Sequence, residues 1–356
     1  MESVHNSLSN REIRVKIDPL FWYAMSVQLI LAPALAFIVA YFLILWQVNS
    51  PTALTVLDYP NQRSLHRTPI PRTGGVGIIA GILAAWLWLA TAIPLVLWVS
   101  IGLLAIISFI DDVKTLPVLQ RLLVHASVAM AFAIWQIYPS YGGALTFVAG
   151  LAILWMTNLY NFMDGSDGLA GGMALIGFGC YGLGAWLMGD DLLAVINFCI
   201  MAAAGAFLLF NFYPARIFMG DVGSIPLGFL AAVLGIWGWM QAVWSLWFPL
   251  LVFSPFIADA TVTLAKRAWR GERIWQAHRA HYYQRLVQSG LGHRDTALLG
   301  YAVMLIASGS ALWSVRQDAA TQLWLVGIWM SIYFITMVIF DYFQRNRSGN
   351  EQNDCN

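Results

Sequence analysis

The stretch LVLWVSIGLLAIISFI, residues 95–110, runs straight into Asp111-Asp112 and then Val113-Lys114. A helix crossing a bilayer takes about 20 mostly apolar residues, and this uncharged run reads as such a span, closed by two adjacent carboxylates. The rest of the chain repeats the apolar half of that pattern. Of 356 residues, 60% are hydrophobic, 14% aromatic and only 10% charged, and the mean hydropathy is +0.69. A soluble domain carries roughly a quarter charged residues, so this chain belongs in a bilayer. The apolar excess and a cysteine count of three exclude disordered, collagen-like and disulfide-scaffold classes. Cys180 and Cys199 lie in apolar runs and Cys355 in the tail, which makes no disulfide framework. Nineteen basic against 18 acidic residues argues against a nucleic-acid binder.

Outward from residue 95, polar breaks divide the chain into eleven apolar runs: 21–48, 76–93, 95–110, 119–137, 145–160, 168–188, 192–210, 223–241, 244–264, 296–313 and 322–340. They predict an all-α fold, a polytopic integral membrane helix bundle of about eleven transmembrane helices. The first run is too long for the apolar region of a signal peptide. At Pro94 two short spans meet almost without a loop. Lys and Arg set the orientation. Fifteen of them, among them Arg63, Arg67, Arg72, Arg216, Arg345 and Arg347, fall on one side, against Arg11, Arg14, Lys16 and Arg316 on the other. This predicts a periplasmic N-terminus and a cytoplasmic C-terminus, consistent with an odd number of spans. No internal repeat is detectable. The chain reads as a single membrane domain over 1–356, with a polar N-terminal segment 1–20, a cytoplasmic His/Arg loop 265–295 and a polar C-terminal tail 341–356.

The dense polar motifs all fall on the cytoplasmic side. Asp111 and Asp112 end a helix whose dipole disfavours negative charge there, and two adjacent carboxylates are stable as anions only beside a cation. Lys114 and Arg121 follow within about three turns to compensate that charge or bind phosphate. Asn158, Asn161, Asp164 and Asp167 repeat every three residues and would share one helix face. Four oxygen-bearing side chains in a stripe suit Mg²⁺ or a polar ligand. Gly165 and Gly168 would let backbone approach that ligand. A capped turn explains Asp164-Gly165 but leaves the two asparagines unexplained. Asp221, between Gly220 and Gly223 at the start of the eighth span, is either a helix cap or part of a metal site. His278-Arg279-Ala280-His281, inside a loop holding seven basic residues, suits a pyrophosphate or sugar phosphate. The surrounding positive run fits anionic lipid headgroups. The first cytoplasmic loop runs from Asp58 through His66 to Gly74-Gly75, whose glycines offer a weak phosphate cradle. Asp259, in the ninth span, reads as a group supporting the site or a paired packing residue.

In this order, the Asp58 to Gly75 loop, Asp111-Asp112, Asn158 to Gly168, Phe218 to Ser224 and His278 to His281 resemble the polyprenyl-phosphate N-acetylhexosamine-1-phosphate transferases, over about residues 50–290. The resemblance is stronger to bacterial enzymes that start O-antigen, enterobacterial common antigen or teichoic-acid linkage synthesis. It is weaker to the peptidoglycan enzyme that transfers phospho-N-acetylmuramoyl-pentapeptide, which carries adjacent histidines in its last loop. The resemblance implies transfer from a UDP-N-acetylhexosamine (GlcNAc, FucNAc or QuiNAc) to undecaprenyl phosphate, releasing UMP, with Mg²⁺ as cofactor and Mn²⁺ as a substitute. It implies a multi-pass enzyme of the bacterial cytoplasmic membrane with its site facing the cytoplasm, in contact with bilayer lipid. A homodimer is usual for such enzymes, although no interface is legible here. Residue by residue, Asp111 would assist the attack and Asp112 would position the metal or lipid phosphate. Asp221 with Asn161 would hold Mg²⁺. Asn158, Asp164, Gly165, Asp167 and Gly168, with Asp58 and His66 at the rim, would line the nucleotide-sugar pocket. Arg121, Lys114, His278, Arg279 and His281 would grip phosphates. Asp111 would act either as a base for direct attack or as a nucleophile through a phospho-aspartate. A secondary transporter would need polar groups near the midplane on matched broken helices, and a membrane scaffold would leave five polar motifs unexplained.

Overall fold

A computed structural model of the chain describes residues 19–50, 56–59, 69–89, 93–273 and 278–353, with side chains between 27 and 346. The elements in order are α1 (Pro19–Asn49), a ribbon of β1 (Leu57–Asp58) and β2 (Ile70–Pro71), α2 (Gly74–Trp88), α3 (Leu95–Lys114), α4 (Val118–Gln136) and α5 (Tyr138–Phe162). There follow α6 (Leu169–Leu187), α7 (Asp191–Asn211), α8 (Asp221–Met240), α9 (Trp247–Val252), α10 (Ser254–Trp269), α11 (Tyr282–Leu286), α12 (Gly292–Ser314) and α13 (Ala319–Asn353). A π-helical turn, Val287–Leu291, joins α11 to α12.

The all-α, polytopic expectation is met: among the described residues, nine helices are long and apolar enough to cross a membrane. Two of the eleven expected spans differ. At 15 residues, α2 is about 22 Å long, short of a hydrocarbon core of about 30 Å. The 244–264 run is not one helix. Pro255 lies in the first turn of α10, where it cannot donate back to Leu251, and the chain breaks at Phe253 into a six-residue α9 and a sixteen-residue α10. At the other end, the expected polar tail from 341 is helical, as α13 continues to Asn353. The expected 1–20 segment lies outside the described residues except for its last two positions.

At the centre stands α8, buried along most of its length and packed on α3 and α5. A second group forms from α1, α2, α6 and α7, and Gln47 donates to the Thr73 carbonyl at 3.1 Å to tie the end of α1 to the start of α2. The outer surface carries Ile30, Phe42, Leu123, Trp324 and Phe334 exposed, a face that water would not tolerate as a continuous patch. Consecutive helices run back and forth, so the ends of α3 and α5 meet the starts of α4 and α8 on one side of the bundle. The chemistry gathers there.

Candidate active site

Asp111 and Asp112 occupy the last turn of α3, where no helical amide points at them. A left-handed Thr115, φ 51°, turns the chain back. Leu116 N–H then donates to Asp111 Oδ1 at 2.6 Å, and α4 begins close enough for Arg121 Nη1 to reach Asp111 Oδ2 at 2.5 Å. The same Nη1 lies 3.2 Å from Asp221 Oδ2, so one guanidinium bridges two helices. Asp221 opens α8, where the helix dipole favours an anion. Its Oδ1 accepts from Asn161 Nδ2 at 2.8 Å, and that amide also donates to Ser224 Oγ at 2.9 Å. Asp112 Oδ2 accepts from Val222 N–H at 3.2 Å. From the loop after β2, Arg72 donates to the Asp112 carbonyl at 2.5 Å and places Nε 3.7 Å from its Oδ1. Burial, reinforced by the negative charges of Asp221 and Asp112, pushes the Asp164 carboxyl well above the usual carboxylate range. Four carboxyl groups thus face two guanidiniums, and the upward shift at Asp164 reflects a crowding of negative charge that a bound cation would relieve. Among the described residues, no three His, Cys, Asp or Glu side chains converge closely enough to hold a metal ion by themselves.

The stripe expected over Asn158, Asn161, Asp164 and Asp167 is broken, because α5 ends at Phe162. Asn158 and Asn161 remain on the helix. Asn158 Oδ1 meets His125 Nδ1 at 3.3 Å, beside Arg121 on α4. Asp167 turns to a different cluster: its Oδ2 accepts from Ala215 N–H at 3.0 Å, and His293 Nδ1 lies 3.6 Å from Oδ1 and 3.0 Å from Ser166 Oγ. The glycines expected to admit a ligand admit protein instead. A Cβ on Gly165 would lie 2.2 Å from the Tyr283 hydroxyl. Gly168 N–H is held by Asn211 Oδ1 at 3.0 Å and its carbonyl by Tyr301 at 2.6 Å. The same correction applies to Gly74-Gly75: their N–H groups donate to the Phe218 and Met219 carbonyls at 2.9 and 2.8 Å, so neither is open to phosphate.

The histidine loop folds against the end of α5, where the His281 ring stacks on Phe162, with His278 4.8 Å from it. Only 3% of His281 is exposed, and its Nδ1 lies 3.3 Å from Asp259 Oδ1. Asp259 also accepts from Tyr282 N–H and Tyr283 N–H, both at 2.9 Å. It is therefore both the cap of α11 and the group that orients His281. A five-residue helix depends on such a cap. Asp259→Ala is expected to strand two buried amides at about 1–3 kcal/mol each, read as a lower Tm of the purified protein; an unchanged Tm would show that α11 needs no cap. Arg279 is half-buried and makes no ion pair among the described residues. Lys114 is exposed, and the compensating charge on Asp111 comes from Arg121. Asp58 sits on β1 opposite Ile70, and His66 lies outside the described residues. No sequence motif points to His125, His293 or Asn211, and Arg72 enters the sequence pattern only as an orienting charge and a member of the basic Asp58 to Gly75 loop. Of these, His125 had a signal, standing one helical turn after Arg121.

Ionisable groups thus gather at one end of a helix bundle whose helices are long and apolar enough to cross a membrane, the architecture of a polytopic membrane protein. Residues 94–239 match the family model described as glycosyl transferase family 4. The chain is 28% identical over 312 residues to a probable undecaprenyl-phosphate N-acetylglucosaminyl 1-phosphate transferase of Bacillus subtilis, covering 80% of this chain and 81% of the relative. It is 26% identical over 318 residues to the undecaprenyl-phosphate alpha-N-acetylglucosaminyl 1-phosphate transferase of Yersinia pestis, covering 81% and 83%. It is 30% identical over 323 residues to the decaprenyl-phosphate N-acetylglucosaminephosphotransferase of Mycobacterium tuberculosis, covering 76% and 79%. The chain belongs to the polyprenyl-phosphate N-acetylhexosamine-1-phosphate transferase family.

Proposed function

We propose that this protein transfers N-acetylhexosamine 1-phosphate from its UDP derivative to undecaprenyl phosphate, on the cytoplasmic face of a bacterial inner membrane, as the first step of a surface polysaccharide such as O-antigen. The observation that carries this reading is the cluster of Asp111, Asp112, Asp164 and Asp221 with Arg72 and Arg121, where α3, α4, α5 and α8 meet. An oxygen of the lipid phosphate attacks the phosphorus that bears the sugar. The bond from that phosphorus to the bridging oxygen breaks, and UMP leaves with the electron pair. Asp111 receives the proton of a singly ionised lipid phosphate. Arg279 and His278, on the loop packed against the end of α5, would bind the phosphates of the donor.

The donor set also fits a hard divalent cation, because oxygens predominate and negative charge is in excess. Asp221 and Asn161, with Asp112 beside them, would hold Mg²⁺, or Mn²⁺ in its place. The bound ion would neutralise the approaching phosphates. Among the sugars, GlcNAc is favoured by the names of the relatives, and FucNAc and QuiNAc belong in the same donor panel. Membranes carrying the wild-type chain should move radiolabelled GlcNAc from UDP-GlcNAc into butanol-extractable lipid in a Mg²⁺-dependent manner. Asp221→Ala should lower that rate by about 10²-fold or more. No lipid labelling by the wild type with any UDP-N-acetylhexosamine would defeat the proposal.

A lipid acceptor also needs somewhere to put its tail. A groove of about 280 Å³ runs between α5, α8, α9 and α10, lined almost wholly by apolar side chains such as Trp155, Ala231, Trp239 and Phe253. We assign it to isoprene units farther along the acceptor's tail, because its lining lies along α5 and α8 away from Asn161 and Asp221, toward the opposite end of the bundle. Ala152 lies on its exposed wall, so Ala152→Trp fills the groove without entering the core. The expected result is a rise in KM for undecaprenyl phosphate with KM for the UDP-sugar unchanged. A parallel rise in both would remove the groove from the acceptor site.

A further inference from the structure

The basic run around the histidine loop splits into two parts. His278 and His281 turn to the end of α5, while Lys266, Arg267, Arg270 and Arg285 turn the other way and line a separate cavity of about 530 Å³ between α10, α11 and α13, with Arg345 and Asp341 from α13. This cavity shares no residue with the Asp111–Asp221 cluster. We propose that it binds a phosphate-bearing anion at the membrane surface.

The charge balance is the first support. Asp341 holds two of the five cations: Lys266 contacts its Oδ2 and Arg285 Nη1 lies 2.6 Å from its Oδ1. Arg267 is held by Glu272 at 2.7 Å. Arg270 has only a 3.8 Å contact with that same Glu272 and is 62% exposed. Arg345 makes no ion pair among the described residues. Among the described residues, two carboxylates stand against five cations, an excess positive charge that a bound anion would balance.

Pre-organisation is the second support. The Arg285 guanidinium lies 4.9 Å from the ring centres of both Tyr282 and Phe340, and its Nε and Nη2 donate to Gln344 Oε1 at 2.9 and 2.7 Å. Lys266 also donates to the Tyr282 hydroxyl. These side chains are fixed in advance, so a ligand does not have to order them. A planar guanidinium fork matches phosphate oxygens.

Depth in the bilayer is the third. Trp269, next to Arg270, is 93% exposed, and Tyr342 and Phe343, next to Asp341, are exposed as well. Exposed Trp and Tyr, here Trp269 and Tyr342, are enriched at the headgroup level of a bilayer. The mouth of the cavity therefore opens where anionic lipids present their phosphates and where a soluble phosphate also has access.

The test uses the full-length protein in phosphatidylcholine nanodiscs, titrated with phosphatidylglycerol in one arm and with inorganic phosphate in the other. Bound lipid is counted by native mass spectrometry and bound phosphate by equilibrium dialysis. The proposal expects about one saturable equivalent of at least one probe, and which probe binds tells the headgroup from free phosphate. Arg270→Gln/Arg345→Gln should weaken that binding about 30-fold. Both positions are exposed, so folding is not at stake. Arg273→Gln/Arg294→Gln, which removes the same charge outside the cavity, should leave it within twofold. Absence of saturable binding for both probes, or equal losses in the two double variants, would overturn the proposal.

Discussion

Asp111→Asn is expected to lower kcat for transfer by about 10²–10⁴-fold, the range of a positioned acid or base, while KM for the UDP-sugar changes little. The asparagine keeps the shape of the side chain and can still accept from Leu116 N–H, so the end of α3 should fold as before. What disappears is the anion that holds Arg121 at 2.5 Å. Arg121 is then free to pair more closely with Asp221, now 3.2 Å away, and this pairing would compete with the cation the site requires. The wild-type protein separates the two routes open to Asp111. Release of one equivalent of UMP by the wild type without undecaprenyl phosphate assigns a phospho-aspartate; no release assigns direct attack. Transfer by Asp111→Asn at more than a tenth of the wild-type rate would remove Asp111 from the chemistry.

Gly75→Ala is expected to damage both stability and transfer, although the residue touches no substrate. A methyl group there would lie 2.3 Å from Gly223 N, 2.4 Å from Gly223 Cα and 2.7 Å from the Met219 carbonyl. All three are backbone atoms, so no side chain can rotate out of the way. Overpacking of this kind costs about 1–3 kcal/mol. Relief requires the starts of α2 and α8 to separate, and α8 starts at Asp221. The segment is further pinned at Gly220, whose φ is +68° and where a Cβ would stand 2.2 Å from the Arg72 carbonyl. A displacement of about 1 Å at a catalytic group costs about 10²-fold in rate. Gly102→Ala, where nothing lies within 4 Å of the added carbon, is the matched control and should be neutral. If Gly75→Ala transfers and melts as Gly102→Ala does, the crossing of α2 and α8 does not set the position of Asp221.

The helices were legible because a bilayer demands long apolar runs, and those runs stand out against polar breaks even in a single sequence. The break at Phe253 was harder to read, since proline is compatible with spanning helices when neighbours re-satisfy the backbone. That Asp111, Asp112, Asn161 and Asp221 stood out in the sequence follows from their being polar or ionisable at the edge of lipid, where such groups need a reason to be. Their connection through Arg121 did not stand out, because it depends on how α4 turns back after Thr115. Gly74-Gly75 was misread for a related reason: a glycine pair signals close approach, but not what approaches, and here it is another helix. Asp167 and His293 lie 126 residues apart, and no local pattern links them. Asp259 was noticed as an anomaly in an apolar run, and packing turned it into the acceptor for two amides of α11.

The break between α9 and α10 leaves Val148, Trp155, Leu246 and Leu250 of the apolar groove exposed on the flank of the bundle. If the groove takes the acceptor's tail as proposed, the lipid substrate would reach its place by two-dimensional diffusion, without leaving the leaflet, while the nucleotide sugar would arrive from water through the polar end. On that reading the two substrates would not share an entrance, and saturation by the lipid would be governed by its mole fraction in the membrane. Diluting the acceptor with inert phospholipid at constant bulk amount should slow the enzyme as surely as removing acceptor, whereas enlarging the aqueous volume should not.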